Sequence, residues 1–161
     1  MTMVTEEAEQ FARHLPDGGA LMGLDPGTRT LGVALCDAGW RFATPHLSHR
    51  RGKFGADAQV LATIAAERSV KGVVCGLPRN MDGSEGPRAQ SARAFCRNLA
   101  ERLGLPVLLW DERWSTVAAT RSLVEQDFSR SRRAGMVDAH AAAVILQAAL
   151  DRLTRTGQAS I

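Results

Sequence analysis

The sequence predicts an α/β fold. A mixed sheet begins as three antiparallel strands, continues as parallel β-α units and carries helices on both faces. Three observations predict it. Apolar runs between Ala20 and Thr44 are joined by tight turns, which implies an antiparallel meander. Two later runs, VKGVVCGLP and LPVLLWDE, are short and almost wholly apolar, as strands covered on both faces must be. Stretches of helical period separate and follow those runs.

Taken in order, Thr5 to Leu15 has helical spacing, with Thr5 as N-cap and Val4, Ala8, Phe11, Ala12 and Leu15 on one face. The run PDGG then breaks it. We read 1–19 as an N-terminal extension, 20–155 as one domain and 156–161 as a tail. Strands are expected over 20–25, 30–36 and 40–44, turned at Pro26–Arg29 and Asp37–Gly39. PHLSHRRGKFG reads as a loop. A helix is expected over 57–68, with Val60, Leu61, Ile64 and Ala65 inward. A second covers 87–103, where proline suits the first turn and Gly104 ends it. A third begins at Ser115 or Thr116 and runs to Gln126, and the last covers 136–153.

No apolar run reaches membrane-spanning length, and the acidic start MTMVTEEAEQ lacks a secretory pattern, so a cytoplasmic location without membrane contact is expected. Cys36, Cys75 and Cys96 are far apart, with no C-x-x-C, which reads as buried reduced thiols. A net charge of +3 points weakly to nucleic acid. Two basic clusters, HRRGK (49–53) and SRSRRAG (129–135), point there more strongly.

Ligands of open α/β sheets gather outside the carboxyl ends of the parallel strands. Asp25 ends the first strand there, and Asp111 and Glu112 end PVLLW. Asp138 lies in the first turn of the last helix, on the stripe of Ala141, Ala142, Ile145 and Ala149. Each acid has a plain structural explanation: a DPG turn, an ion pair with Arg113, or a macrodipole contact. Together they form a carboxylate cluster that calls for hard divalent cations, Mg²⁺ or Mn²⁺. Two such ions can activate water and stabilise the leaving oxygen of a phosphodiester. Strand alternation sends Asp111 and Glu112 to opposite faces, so only one of them enters the cluster.

Thr28 and Arg29 follow Asp25 and can meet a phosphate. Asn80, Asp82 and Arg88 lie in the polar loop GLPRNMDGSEGPR, and Arg113 adjoins Glu112. Arg130, Arg132 and Arg133 precede the last helix and can neutralise backbone phosphates. Trp40 and Trp114 can stack on bases, although core packing is the default, and His46 and His49 lack a third partner for a metal.

The blocks MGLDPGTRTLGVALCD, VVCGLPRNMDGSEGPRA, LLWDERWSTVAA and RRAGMVDAHAAAVILQ resemble, in order, the motifs of the YqgF family, also called RuvX. The resemblance spans about Ala20 to Leu153. It implies an RNase H-like fold and a metal-dependent nuclease, with Asp25, Glu112 and Asp138 as catalytic metal ligands and Asp111 as the alternate. It implies maturation of the 5′ end of 16S rRNA from pre-rRNA, or cleavage of Holliday junctions or other structured DNA. The protein would act as a monomer or, to cut two symmetric strands, a homodimer. Two rivals remain in view. LDPGTRTLGVAL is similar to the first phosphate block of actin-like and sugar kinases, but 161 residues leave no room for the second domain that usually carries their second phosphate block and adenosine site. A non-catalytic nucleic-acid-binding module of the same fold is the other, against which the three acids argue.

Overall fold

The computed structural model describes residues 3–114 and 137–159. Among them, six strands form one sheet: β1 (Val4–Thr5), β2 (Ala20–Pro26), β3 (Thr30–Cys36), β4 (Ala43–Arg50), β5 (Val70–Leu77) and β6 (Val107–Asp111). The spatial order is β1-β6-β5-β2-β3-β4. The β2-β3 and β3-β4 pairs are antiparallel, and the β2-β5, β5-β6 and β1-β6 pairs are parallel. The α-helices among the described residues are α1 (Ala8–Arg13), α2 (Phe54–Glu67), α3 (Pro87–Leu103) and α4 (Val137–Ala159).

Period-two alternation divides the sheet's side chains between two cores. Leu21, Val74 and Leu108 pack beneath α1 and α4, with Ile145, Leu146 and Leu150 of α4 fully buried. Each of those three contributes about 1.5–3 kcal/mol of burial. Met22, Leu24, Val73, Cys75 and Leu109 face α2 and α3 instead. The two faces therefore differ in how close a helix can come. Alanines at 139, 141, 142 and 149 let α4 lie directly on the strands.

The segment read as an extension joins this sheet. Val4 and Thr5 pair with Val107 and Leu108, and Phe11 is fully buried against the α4 core. Gly72 makes room for it, since a β-carbon there would lie 2.9 Å from the Phe11 ring. Thr5 does not cap a helix as expected. Its Oγ1 accepts from Glu7 N in a local turn, and α1 starts only at Ala8. The third meander strand also lies later than predicted, at 43–50 rather than 40–44, so half of the presumed loop is strand. Pro45 fits there because β4 is the sheet's edge and the register shifts between Val33 and Ala34, opposite Leu47 and Pro45. The helix predicted over 87–103 is observed over that range. The helix expected from 115 to 126 lies outside the described residues. No helix among the described residues is long and apolar enough to cross a membrane.

Candidate active site

Asp25 is the last-but-one residue of β2 and is only 2% exposed. Gly23, two residues earlier, abuts Leu146 and Ala142 of α4, so alternation points Asp25 to the same face. Its cross-strand partner on β3 is Gly32. A β-carbon at Gly32 would overlap the backbone carbonyl of Asp138, which places the first turn of α4 beside Asp25. On the other flank, the register Leu24↔Cys75 brings Gly76 of β5 alongside. A β-carbon at Gly76 would lie 2.6 Å from Glu112 Oε1 and 2.7 Å from Ile145. Asp25 thus lies between two glycines, each overlain by another acid.

The acid field reaches the strand beneath. The Cys75 thiol is held well above the usual thiol range, first by its hydrogen bond with Cys96 and by burial, with the charges of Asp25 and Glu112 adding to the rise. Asp25 and Asp138 also wall one recess of about 270 Å³, together with Thr28, Arg29, Thr30 and Arg88. Thr30 Oγ1 donates to Asp138 Oδ2 and so fixes its carboxylate. Ser48 of β4 accepts from Ala139 N and steadies the same turn.

Asp111 lies elsewhere. It pairs with Leu77 across the β5-β6 ladder and points to the α3 face, away from Asp25. Arg113 Nη2 donates to it at 2.7 Å and Arg79 Nη1 at 3.1 Å, while Arg113 N caps it at 3.0 Å. Burial pushes the Asp111 carboxyl up, but the Arg113 and Arg79 hydrogen bonds outweigh it and hold it below the usual carboxylate range. Arg79 also reaches Glu6 at 2.5 Å and Glu85 at 3.1 Å, and Arg93 bridges the same two acids. Arg93 and Arg79 together hold Glu85 down at about 2. The result is a charge lattice that ties the N-terminal segment, the 78–86 loop and the end of β6 together.

The remaining sequence-predicted residues divide clearly. Thr28, Arg29 and Arg88 are exposed around the recess. Arg113 is committed to Asp111. Asn80 Nδ2 donates to Ser84 Oγ, and Asp82 accepts from Ser84, so both close the loop on itself. Trp40 packs on the α4 core and donates to Gly19 O. His49 lies 2.8 Å from Asp57, not beside His46 in a metal pair. Arg130, Arg132 and Arg133 lie outside the described residues. Sequence reading missed Thr30, Ser48 and Arg79. Only Arg79 carried a signal, as the single cation in the stretch GLPRNMDGSEG. A larger cleft of about 590 Å³ between α1 and α4 is walled by Glu6, Glu7, Glu9 and Asp151 against Arg152 and Arg155, a net negative wall less suited to a polyanion.

Sheet order and acid placement first define the class, an RNase H-like α/β protein. A solved structure of T. thermophilus RuvC in complex with Holliday junction substrate shares the fold, with a TM-score of 0.53 and 15% identity over 86% of this chain and 96% of that one. The family model RuvX, Holliday junction resolvase, matches residues 19–152. The chain belongs to this family, and with it to the hydrolytic nucleases. It is 60% identical to a Novosphingobium aromaticivorans protein named "Putative pre-16S rRNA nuclease", over 94% of this chain and 97% of that one. A Sphingopyxis alaskensis protein of the same name is 58% identical, over 95% and 100%.

Proposed function

We propose that the protein hydrolyses phosphodiester bonds with Asp25, Glu112 and Asp138 as its catalytic carboxylates, and that its substrate is the 5′ leader of 16S pre-rRNA. The observation that carries this reading is the double glycine flank of Asp25, which brings acids from β2, the 112–114 turn and α4 to one face. The donor set is carboxylate oxygen alone, since Cys75 faces the other core, and it fits a hard divalent cation, Mg²⁺ or Mn²⁺. Among the described residues no three His, Cys, Asp or Glu side chains close into a finished metal cage. Asp25, Glu112 and Asp138 would hold the cation with the substrate's own oxygens, and when bound it would polarise the scissile phosphate and acidify water.

The chain's own groups do the rest. Thr30 orients Asp138. Thr28, Arg29 and Arg88 rim the recess with donors for the phosphate. Asp111 serves as the anchor of the 112–114 turn rather than as a ligand. The family description favours a second substrate, a four-way DNA junction.

The test incubates purified protein with a labelled pre-16S 5′ leader RNA and with a four-way DNA junction, each with Mg²⁺, Mn²⁺ or chelator. Cleavage of the RNA that requires the cation and disappears in Asp25→Asn, Glu112→Gln and Asp138→Asn is expected. Cleavage of the junction alone moves the assignment to DNA, and no cleavage of either leaves the binding-module rival. Solution mass separates monomer from homodimer.

A further inference from the structure

A second cleft opens beside the acids. It holds about 440 Å³ between the 26–28 turn, Arg51 and the first two turns of α3. Gly27, Thr28 and Arg88 are common to its wall and to the wall of the Asp25–Asp138 recess, so the two hollows adjoin across the 26–28 turn. No acid lines it.

Arg51, from the HRRGK cluster, is held in place without an acid. Its Nη1 donates to Gly27 O at 2.6 Å, and its guanidinium stacks 5.0 Å from the centroid of the Phe95 ring. Its backbone N donates to Arg29 O at 2.8 Å. The loop that bears it is pinned by Asp57, 2% exposed, which accepts from Gly52 N and meets His49. The guanidiniums of Arg79, Arg93 and Arg113 are each engaged by carboxylates. Among the described residues neither Arg51 nor Arg88 has a carboxylate partner. An arginine already fixed in orientation, with most of its five donors unspent, is suited to a planar or tetrahedral oxyanion. Ser91 adds an exposed hydroxyl one turn along α3 from Arg88, and Pro26, Pro87 and Ala92 give the wall an apolar strip.

We propose that this cleft is a second phosphate subsite, in which Arg51, Arg88 and Ser91 hold a backbone phosphate of the substrate strand next to the scissile one. The proposal rests on the nuclease reading only for the identity of the polyanion. It makes the strand leave the recess across the 26–28 turn towards Arg51.

The test measures binding of a fluorescein-labelled single-stranded RNA of about 12 nucleotides in chelator, by anisotropy over a KCl series, with the full chain. Arg51→Met keeps the stem over Phe95 and removes the charge. Ser91→Glu places an acid at an exposed helical position and leaves the fold intact. Both variants are expected to bind about tenfold more weakly, and Arg51→Met to lose about 0.7 from the log–log salt slope, the share of one single-strand phosphate. In the cation-dependent assay KM rises about tenfold and kcat stays within about twofold. Folded variants with wild-type affinity, slope and KM overturn the subsite, even if the wild type cleaves. A wild type that binds RNA through Arg51 and does not cleave overturns the nuclease reading and leaves the subsite standing. Inorganic phosphate that competes at micromolar concentration would show a small-anion pocket and overturn the strand assignment.

Discussion

Gly32→Ala is the sharpest perturbation of the proposed site, because it adds one methyl group beside Asp25 and Asp138 without changing any charge. The new carbon would overlap Asp138 O and lie 3.0 Å from Ala139 N, both backbone atoms. No rotamer change relieves such a clash, so the first turn of α4 must move. Further along, α4 is held against the sheet at Gly23, where a β-carbon would meet Leu146 at 2.7 Å. The helix therefore tilts away at its N-terminal end and carries Asp138 with it. Overpacking of this kind costs about 1–3 kcal/mol, and rigid backbone contacts put it near the upper end. Loss of the Thr30–Asp138 hydrogen bond, to a charged acceptor, adds about 1.5 kcal/mol. The sum is roughly 4 kcal/mol of stability.

A displacement near 1 Å at a reacting group lowers turnover about 100-fold. Urea unfolding reads the first quantity and single-turnover cleavage the second, both at a temperature where the variant remains folded. Thr30→Val is the control: it removes the hydrogen bond but leaves the helix seated, so its stability loss stays near 1.5 kcal/mol. Gly32→Ala with wild-type stability and turnover would refute the account of how α4 delivers Asp138.

Arg79→Met removes the centre of the charge lattice. Because Asp111 keeps Arg113, and Glu6 and Glu85 keep Arg93, the loss is about 2–4 kcal/mol in urea unfolding, short of a fully orphaned buried pair. The lattice also sets an acid limit. Glu85, held down to about 2 by Arg93 and Arg79, contributes stability that is complete above its ordinary value of 4.5 and is lost as pH falls towards 2. Asp111, also lowered, shifts in the same direction. Unfolding midpoints measured from pH 6 to pH 2 should fall through that window, and the fall should be smaller in Glu85→Gln. Replacing Asp111 by Asn should destabilise the fold while leaving the cation concentration at half-maximal cleavage unchanged; a raised cation requirement would return Asp111 to the ligand set.

Much of the framework was legible in the sequence because local chemistry dictates it. The α3 limits follow from Pro87 at the start and Gly104, with φ 67°, at the end. The acids at strand ends follow from the rule for open sheets. What was not legible depends on pairing between distant residues. Val4–Thr5 is too short to show alternation, and it is a strand only because β6 offers an edge. Val33↔Leu47 register, not the sequence of β4, explains why PHLSHR is extended. Gly32 and Gly76 lie inside apolar strands with nothing local to mark them, and their use as seats for two acids emerges only when β3, β2 and β5 are laid side by side. Arg79 and Asp111 are 32 residues apart, and nothing local ties them.

Asp111 and Glu112 show how one sheet gives adjacent acids opposite duties. At a strand end, successive side chains leave from opposite faces. On the α3 face Asp111 meets two guanidiniums supplied by the protein, so its charge is neutralised within the fold and its energy goes into stability. On the α4 face Glu112 approaches Gly76, on the strand beside Asp25, so two carboxylates share that face. Under the proposed function, a cation held there would offset the crowding of carboxylates, and part of the folding energy spent in holding them together would become binding energy for it. The same logic separates the arginines. Those that face acids build the scaffold, whereas Arg51 and Arg88 are positioned along the path leading from the acids. A nuclease needs both sets, because the scaffold must stay rigid while the path takes and releases a polyanion. Exchange of the two duties is the strongest check on this division: Arg51→Met should change salt-dependent binding and spare the acid unfolding profile, and Arg79→Met should do the reverse.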